Sequence, residues 1–71
     1  MDLRVVVGRN IVLLRQAAGM AQDELAHRAS IHVTYLSGVE NGRRNITMDV
    51  LERIARALDV QETTLLARSK E

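Results

Sequence analysis

Apolar residues recur along this chain at the spacing of one face of an α-helix, in short blocks that each end at a glycine or a polar connection. The first block places five apolar side chains on one such face: Leu3, Val7, Ile11, Leu14 and Ala18. Gly19 follows this block, and glycine readily adopts the left-handed conformation that closes a helix. We therefore expect a first helix that ends at Gly19.

The following blocks predict three more helices. A second helix is expected over about residues 22 to 29 and a third over about residues 33 to 41, with Gly42 as its stop. Thr47 is the expected N-cap of the fourth helix. The buried stripe of that fourth helix should consist of Leu51, Ile54, Ala55 and Leu58.

A last short helix, over about residues 62 to 68, carries Leu65 and Leu66. The sequence has no proline, no strand-like run and no internal repeat. These patterns predict an all-α fold, a compact bundle of five short helices that forms one domain over residues 1 to 71.

Length and composition narrow the class of protein. A domain of 71 residues leaves about 40% of its unfolded surface exposed and is marginally stable alone, so we expect a second copy to bind. The absence of cysteine excludes a disulfide scaffold and thiolate metal sites. There is no apolar run of about 20 residues and no signal peptide. We expect a cytoplasmic protein that binds no metal and no membrane.

Charge is distributed unevenly, although the formal net charge is only +1. Residues 1 to 44 contain six arginines and four acidic side chains, whereas residues 45 to 71 contain four basic and five acidic ones. The arginine-rich part is compatible with nucleic-acid binding. An ordinary mixed, solvated surface would give the same pattern.

Residues 22 to 41 have the pattern of a helix-turn-helix, whose second helix enters the DNA major groove. A closer resemblance is carried by QDELA, YLSGVENG and LERIARAL, with the spacing of Arg15 and Gly19. Over residues 8 to 58 the chain resembles the lambdoid phage repressor and Cro (XRE-type) family. Within it, TYLSGVE followed by RRNIT is most like the small controller proteins of restriction–modification systems. The resemblance implies a DNA-binding transcriptional regulator.

Several positions of the helix-turn-helix depart from the usual residues of that family. Ala21 stands where a serine or threonine caps the second helix, and losing such a cap costs about 1 kcal/mol. Ser30 occupies a turn position where glycine is common, and serine is mildly strained at positive φ. His32 lies at the usual N-cap of the recognition helix, and Val33 follows it in place of a long polar side chain. The residues at positions 32 and 33 alter the expected mode of base reading.

The third helix contains no arginine, lysine or glutamine, the side chains that best read guanine and adenine. Thr34 and Ser37 can hydrogen-bond several base edges, although they are also ordinary residues for a solvated helix surface. Val33 can pack on a thymine methyl, and His32 can donate or accept at the helix start. Gly38 costs about 1 kcal/mol against alanine, which indicates either a close approach of DNA or simple tolerance. These five residues are the predicted base-reading set.

Five other residues are candidate ligands for DNA phosphates. Asn41, Arg43 and Arg44 follow one another at the end of the third helix, and the arginine fork suits phosphate. Solubility is the alternative role for the arginine pair. The resemblance places Gln22 at the start of the second helix, where its amide and free backbone N–H groups can hold a phosphate. Tyr35 either donates its hydroxyl to a phosphate or packs in the core.

Two further pairs of residues are predicted to act in structure and assembly. The resemblance implies an ion pair between Arg15 and Glu40, which would orient the third helix against the first. Leu65 and Leu66 are the predicted dimer contacts, one sealing the core and the other crossing the two-fold axis. The spacing does not distinguish the two leucines.

The predicted function is a sequence-specific transcriptional regulator that binds a near-palindromic operator in double-stranded DNA as a homodimer, without a cofactor or small-molecule effector. The chain offers no nucleophilic cysteine and no converging catalytic groups, so we do not expect an enzyme. The alternative is an antitoxin-like module that binds another protein, with DNA binding secondary. Val5 and Val12, opposite the main apolar stripe of the first helix, would then form an exposed patch.

Overall fold

The computed structural model describes residues 1–69, and over those residues the chain is all-helical. The helices are α1 (Leu3–Ala17), α2 (Gln22–Ala29), α3 (Val33–Glu40), α4 (Met48–Leu58) and α5 (Glu62–Leu66). The predicted fold class, an all-α bundle of five short helices, is confirmed. No helix within residues 1–69 is long and apolar enough to span a membrane.

Helices α1 to α4 all end in the same way. Each is followed by one residue of left-handed backbone, with φ between 58° and 75°: Gly19, Ser30, Gly42 and Asp59. The next residue then donates its N–H to a carbonyl five residues back, as Met20 does to Arg15 at 3.0 Å. The predicted stops at Gly19 and Gly42 are confirmed, and Ser30 has the positive φ expected of it.

The helix starts differ in how well they are capped. Thr47 Oγ1 accepts a hydrogen bond from Val50 N at 3.1 Å, which confirms Thr47 as the N-cap of α4. Ala21 precedes α2 and makes no side-chain cap bond, as expected. At the start of α1, Asp2 Oδ1 accepts from Arg4 N at 2.7 Å. The side-chain hydrogen bond from Arg4 also holds the pKa of Asp2 below its ordinary value.

The core lies among the five helices, because α1 packs on α3 and α5, α2 packs on α3 and α4, and α4 packs on α5. The buried cluster consists of Val7, Ile11, Met20, Leu25, Ala26, Ala29, Leu36, Val39, Ile54, Ala55, Leu58 and Leu65. On α4, Leu51 is half-buried at the edge of this cluster, while the other three residues of the predicted stripe are inside it.

The predicted buried stripe of α1 is wrong at both ends. Leu3 is 47% exposed, and Ala18 is exposed as well, because these residues lie at the two termini of the helix. Leu14 is half-buried. Val6, which the spacing did not single out, is buried instead, next to Val7. The contact face of α1 is therefore shorter and wider than the sequence pattern indicates.

Candidate nucleic-acid interface

The outward side of α3 forms the wall of a shallow groove together with the start of α2 and the segment after α3. Its lining consists of Gln22, Val33, Thr34, Ser37, Gly38, Asn41, Arg43 and Arg44. These are eight of the ten residues that the sequence singled out for contact with DNA. Thr34, Asn41 and both arginines are exposed there, and Val33 is 43% exposed. The fold thus gathers hydroxyl, amide and guanidinium groups on one accessible surface.

His32 is the exposed residue that precedes α3, and it lies outside this groove. Its side chain does not cap the helix. The backbone N–H groups of the first turn of α3 are therefore left without a side-chain cap from His32, and they remain available to an acceptor such as a phosphate oxygen.

An ion pair fixes the inner end of α3 to α1. Arg15 Nε donates to Glu40 Oε2 at 2.8 Å, and Arg15 Nη2 donates to Glu40 Oε1 at 3.2 Å. The Glu40 side chain is only 4% exposed and that of Arg15 only 14%. The third guanidinium nitrogen, Nη1, donates to the carbonyl of Met20 at 2.9 Å. This bidentate geometry orients α3 relative to α1.

Gln22 takes part in the same network, which the sequence did not indicate. Its Nε2 donates to Glu40 Oε1 at 2.8 Å. One amide hydrogen of Gln22 is therefore used inside the protein, and one remains for an outside acceptor. The carboxylate of Glu40 consequently ties together α1, α2 and α3.

Tyr35 is half-buried and packs against the core. Its hydroxyl donates to the carbonyl of Asn45 at 2.8 Å, so its hydrogen is engaged in holding the segment after α3. This geometry matches the core-packing alternative for Tyr35 and does not support the phosphate contact that we predicted. The hydroxyl oxygen can still accept a hydrogen bond, but a phosphate offers none.

The backbone of Arg43 and Arg44 is bound to Gly38. The N–H groups of both arginines donate to the Gly38 carbonyl, at 2.9 and 3.2 Å. The guanidinium carbon of Arg44 lies 5.9 Å from the centre of the Tyr35 ring, within the range of a cation–π contact. The two arginines therefore leave the end of α3 in a defined direction.

Gly38 has a close neighbour within the chain itself. A Cβ atom built on Gly38 would lie 2.5 Å from Cγ of Arg44, closer than two carbon atoms approach without a shift. The sequence led us to expect a close approach of DNA or simple tolerance of the glycine. The structure adds a third reason, which is the Arg44 side chain.

Gly8 sets how closely α1 approaches α3, and the sequence pattern did not single it out. A Cβ atom on Gly8 would lie 2.5 Å from the Val39 carbonyl oxygen and 2.7 Å from that of Glu40. The backbone of α1 therefore touches the last turn of α3 directly. The only sequence signal for this contact is a glycine in the interior of α1, where it costs helix propensity.

The two leucines of α5 have different environments. Leu65 is fully buried, whereas Leu66 is 38% exposed. Asn10 holds the end of α5 in place, because its Nδ2 donates to the carbonyls of Leu65 and Ala67, both at 2.8 Å. Leu65 therefore seals the core, whereas Leu66 stays at the surface.

The surface predicted for another protein partner on α1 is smaller than expected. Val5 and Val12 are both half-buried. Val5 packs under Gly42, since a Cβ atom on Gly42 would lie 3.0 Å from its Cγ2. Within residues 1–69 there is also no group of three histidine, cysteine or acidic side chains that could hold a metal.

Comparisons with known proteins agree with this geometry. The Helix-turn-helix family model matches residues 11–65. The uncharacterized HTH-type transcriptional regulator y4dJ of Sinorhizobium fredii is 39% identical over all of this chain and 92% of its own length. Control protein C.BamHI of Bacillus amyloliquefaciens is 36% identical over 92% of this chain and 82% of its own.

A similar structure has also been solved. The restriction–modification controller protein C.AhdI from Aeromonas hydrophila superposes with a TM-score of 0.85 at 34% identity, over 87% of this chain and 94% of its own. The resemblance to controller proteins that the sequence indicated is therefore found in both sequence and structure.

Proposed function

The chain belongs to the helix-turn-helix family of transcriptional regulators and is close to the restriction–modification controller proteins, and we propose that it binds a near-palindromic operator as a homodimer. In this proposal α3 of each subunit lies in the major groove, and the two recognition helices are roughly 34 Å apart on one face of the duplex. The observation that carries it is the groove that gathers Gln22, Thr34, Ser37 and the two arginines.

Phosphate contacts are assigned to the rim of this groove. Arg43 and Arg44 are exposed beside the end of α3, and Asn41 precedes them on the same surface. Gln22 supplies its remaining amide hydrogen at the start of α2. Charge-assisted contacts of this kind give affinity and salt dependence but carry no sequence information.

Base reading is assigned to the face of α3 itself. Thr34 and Ser37 supply hydroxyl groups, Val33 supplies an apolar contact for a thymine methyl, and His32 adds a polar group at the helix start. These groups discriminate weakly between bases. We therefore propose that deformation of base pairs that the protein does not touch supplies much of the specificity.

The dimer is assigned to a surface around Leu66. Met48 is 89% exposed and shares a shallow surface hollow with Leu51 and Glu62, and Glu62 is one turn before Leu66 on α5. We define the α4/α5 surface as Met48, Leu51 and Leu66. Burying it against a second copy would remove exposed apolar area and leave α3 free for DNA.

This surface has an acidic edge, formed by Asp49, Glu52 and Glu62. Asp49 is already paired with Arg53 at 2.8 Å. In a dimer whose two-fold axis passes beside this edge, Glu52 and Glu62 approach their own copies. Salt screens such repulsion. Dimer formation should therefore strengthen as salt is added, whereas DNA binding should weaken, and the two equilibria can be separated by measuring each across the same salt series.

Selection from a random pool of double-stranded DNA tests the operator. The expected product is a near-palindrome whose half-site centres are about 10 base pairs apart, or a multiple of that. Its affinity should fall as salt is raised. Enrichment of no duplex, or of a single half-site that saturates with one subunit, would contradict the proposal.

Leu66→Ala tests the dimer, with Leu13→Ala as the matched control. Leu13 is 59% exposed on α1 and does not line the hollow formed by Met48, Leu51 and Glu62. Loss of an interfacial leucine costs about 2 to 5 kcal/mol, which raises the dimer dissociation constant more than tenfold. Sedimentation at micromolar concentration should show monomers for Leu66→Ala and dimers for Leu13→Ala. If both variants remain dimeric, the interface lies elsewhere.

The biological setting is proposed from the relatives. Two of the proteins to which this chain is similar are described as a control protein and a restriction–modification controller protein. We propose the same setting here. A neighbouring endonuclease and methyltransferase gene would support it, whereas a neighbouring toxin gene would favour the antitoxin-like alternative, for which the half-buried Val5 and Val12 offer little surface.

A further inference from the structure

A glycine interrupts the recognition helix at a position where a side chain would face the groove. Gly38 lies in the interior of α3, where glycine is the poorest helix former after proline. Built there, a Cβ atom would lie 2.5 Å from Cγ, 3.5 Å from Cβ and 3.6 Å from Cδ of Arg44. The aliphatic stem of Arg44 therefore runs across the place that the side chain of residue 38 would fill.

Arg44 is held at both of its ends. At the backbone, its N–H donates to the Gly38 carbonyl at 3.2 Å, next to that of Arg43 at 2.9 Å. At the far end, the guanidinium carbon lies 5.9 Å from the centre of the Tyr35 ring. The ring is itself fixed by the hydrogen bond from its hydroxyl to Asn45 O at 2.8 Å. Backbone, stem and guanidinium are thus all placed against α3.

We infer that Gly38 is a positioning residue for Arg44. The missing side chain lets Arg44 lie across α3, with its guanidinium directed to the edge of the groove where a DNA phosphate would pass. An arginine side chain loses much rotational freedom when it binds. Placing it before DNA arrives reduces that loss at the moment of binding. This inference rests on the proposed function and explains why a helix that reads DNA contains a glycine.

The inference differs from a direct approach of DNA to Gly38. If the DNA backbone or a base edge needed the space above Gly38, a methyl group there would weaken binding whatever residue stood at position 44. If the space serves Arg44, the methyl group harms binding only while Arg44 is present. A double-mutant cycle distinguishes these cases.

The cycle consists of the wild-type chain, Gly38→Ala, Arg44→Ala and the double variant, each titrated with one operator duplex and one unrelated duplex. Gly38→Ala should weaken binding to both duplexes about tenfold, as Arg44→Ala does, because one charge-assisted contact is lost. In the Arg44→Ala background, Gly38→Ala should cause no further loss. A full further loss in that background, or no loss in the wild-type background, overturns the inference.

Arg43→Ala provides the matched control background. Arg43 has the same side chain and its N–H also donates to the Gly38 carbonyl, but its side chain is not among the nearest neighbours of the Gly38 position. Gly38→Ala should keep its full effect when combined with Arg43→Ala. Thermal unfolding of every variant excludes misfolding, and in the Arg44→Ala background alanine at position 38 should raise Tm, because it favours the helix.

Nuclear magnetic resonance of the free protein tests the positioning without DNA. Tyr35 is the only tyrosine, and the chain has no phenylalanine or tryptophan. Its ring should shift the side-chain protons of Arg44 upfield in the wild-type chain, and Gly38→Ala should abolish that shift. Unchanged Arg44 resonances in Gly38→Ala overturn the positioning role. If the wild-type chain binds no duplex while the shift behaves as expected, the proposed function fails and the positioning role stands.

Discussion

The two sides of α3 are built in different ways. On the inner side, Glu40 accepts hydrogen bonds from Arg15 and Gln22, and the last turn of the helix rests on Gly8. On the outer side, Thr34 and Asn41 are exposed and face a groove. The inner side is fixed by rigid, buried contacts, whereas the outer side presents polar groups at the surface.

This difference separates stability from recognition. A change on the inner side should alter the free energy of unfolding and affect DNA only through the position of α3. A change on the outer side should alter DNA binding and leave unfolding nearly unchanged. The predictions that follow test this separation with one substitution at a time.

Glu40→Ala should have the largest effect. Removing one partner of a buried ion pair typically costs about 3 to 5 kcal/mol, because the remaining charge stays buried without its partner. Domains of this size have unfolding free energies of only about 0.05 to 0.15 kcal/mol per residue. A large fraction of the Glu40→Ala molecules should therefore be unfolded. Urea denaturation followed by circular dichroism measures the loss.

Glu24→Ala is the matched control for Glu40→Ala. Glu24 also pairs with an arginine, Arg28, at 2.6 Å, but its side chain is 43% exposed. Exposed pairs contribute about 0 to 1 kcal/mol. Equal losses of stability for the two variants would show that the buried pair of Glu40 with Arg15 contributes no more than the exposed pair of Glu24 with Arg28.

Gly8→Ala should have the next largest effect. The added Cβ atom meets the carbonyl oxygens of Val39 and Glu40, which belong to a helix backbone and cannot move aside as a side chain does. Forcing α1 and α3 apart should cost about 1 to 3 kcal/mol, against the gain in helix propensity. Urea denaturation again provides the measurement.

Gly38→Ala is the matched control for Gly8→Ala, because it also adds a methyl group to a helix but meets the side chain of Arg44. Its unfolding free energy should stay level or rise. A lower stability for Gly38→Ala than for Gly8→Ala would be inconsistent with a rigid inner side and an adjustable outer side.

Arg43→Ala should act on DNA binding and not on folding. Arg43 is exposed at the rim of the groove. If it binds a phosphate, its loss should weaken binding to all duplexes about tenfold and lower the slope of affinity against salt by about one unit. Arg56→Ala, which removes an exposed charge on α4 outside the groove, is the control. An unchanged slope for Arg43→Ala would remove it from the phosphate contacts.

Local backbone chemistry explains what the sequence could predict. Gly19, Gly42 and Thr47 act through their own φ angle or through a cap bond three residues away, so a few neighbouring residues determine the outcome. The apolar spacing of α2 and α4 likewise marks the faces on which these two helices pack against each other. These features depend little on the rest of the chain.

Contacts between distant segments explain what the sequence could not predict. Gly8 meets carbonyls some 30 residues later in the chain, and nothing near Gly8 indicates them. The amide of Gln22 reaches Glu40, and the side chain of Arg44 crosses Gly38, only because the turns bring these positions together. In α5, two adjacent leucines in a five-residue helix carry no periodicity, so only the packing distinguishes them.

The smallest expected effect is on base discrimination by the outer side of α3. Thr34→Val removes the hydroxyl but keeps the branched shape and a methyl group. It should reduce discrimination between the operator and a point-changed operator by roughly 1 kcal/mol, the lower end of what a base contact supplies. Ser37→Ala should act similarly, because its hydroxyl lines the same groove. Titration of both duplexes measures the difference.

The ratio of the two affinities decides between reading and positioning. If the Thr34 hydroxyl reads a base, Thr34→Val weakens operator binding more than binding to unrelated DNA, whereas Arg43→Ala weakens both by the same factor. Equal losses of affinity for the operator and for unrelated DNA in Thr34→Val would mean that the hydroxyl contacts the DNA backbone instead of a base. Replacing the central base steps of the operator, which the protein does not contact, should then cause most of the loss of specificity. A helix that reads bases weakly leaves discrimination to the deformability of the DNA.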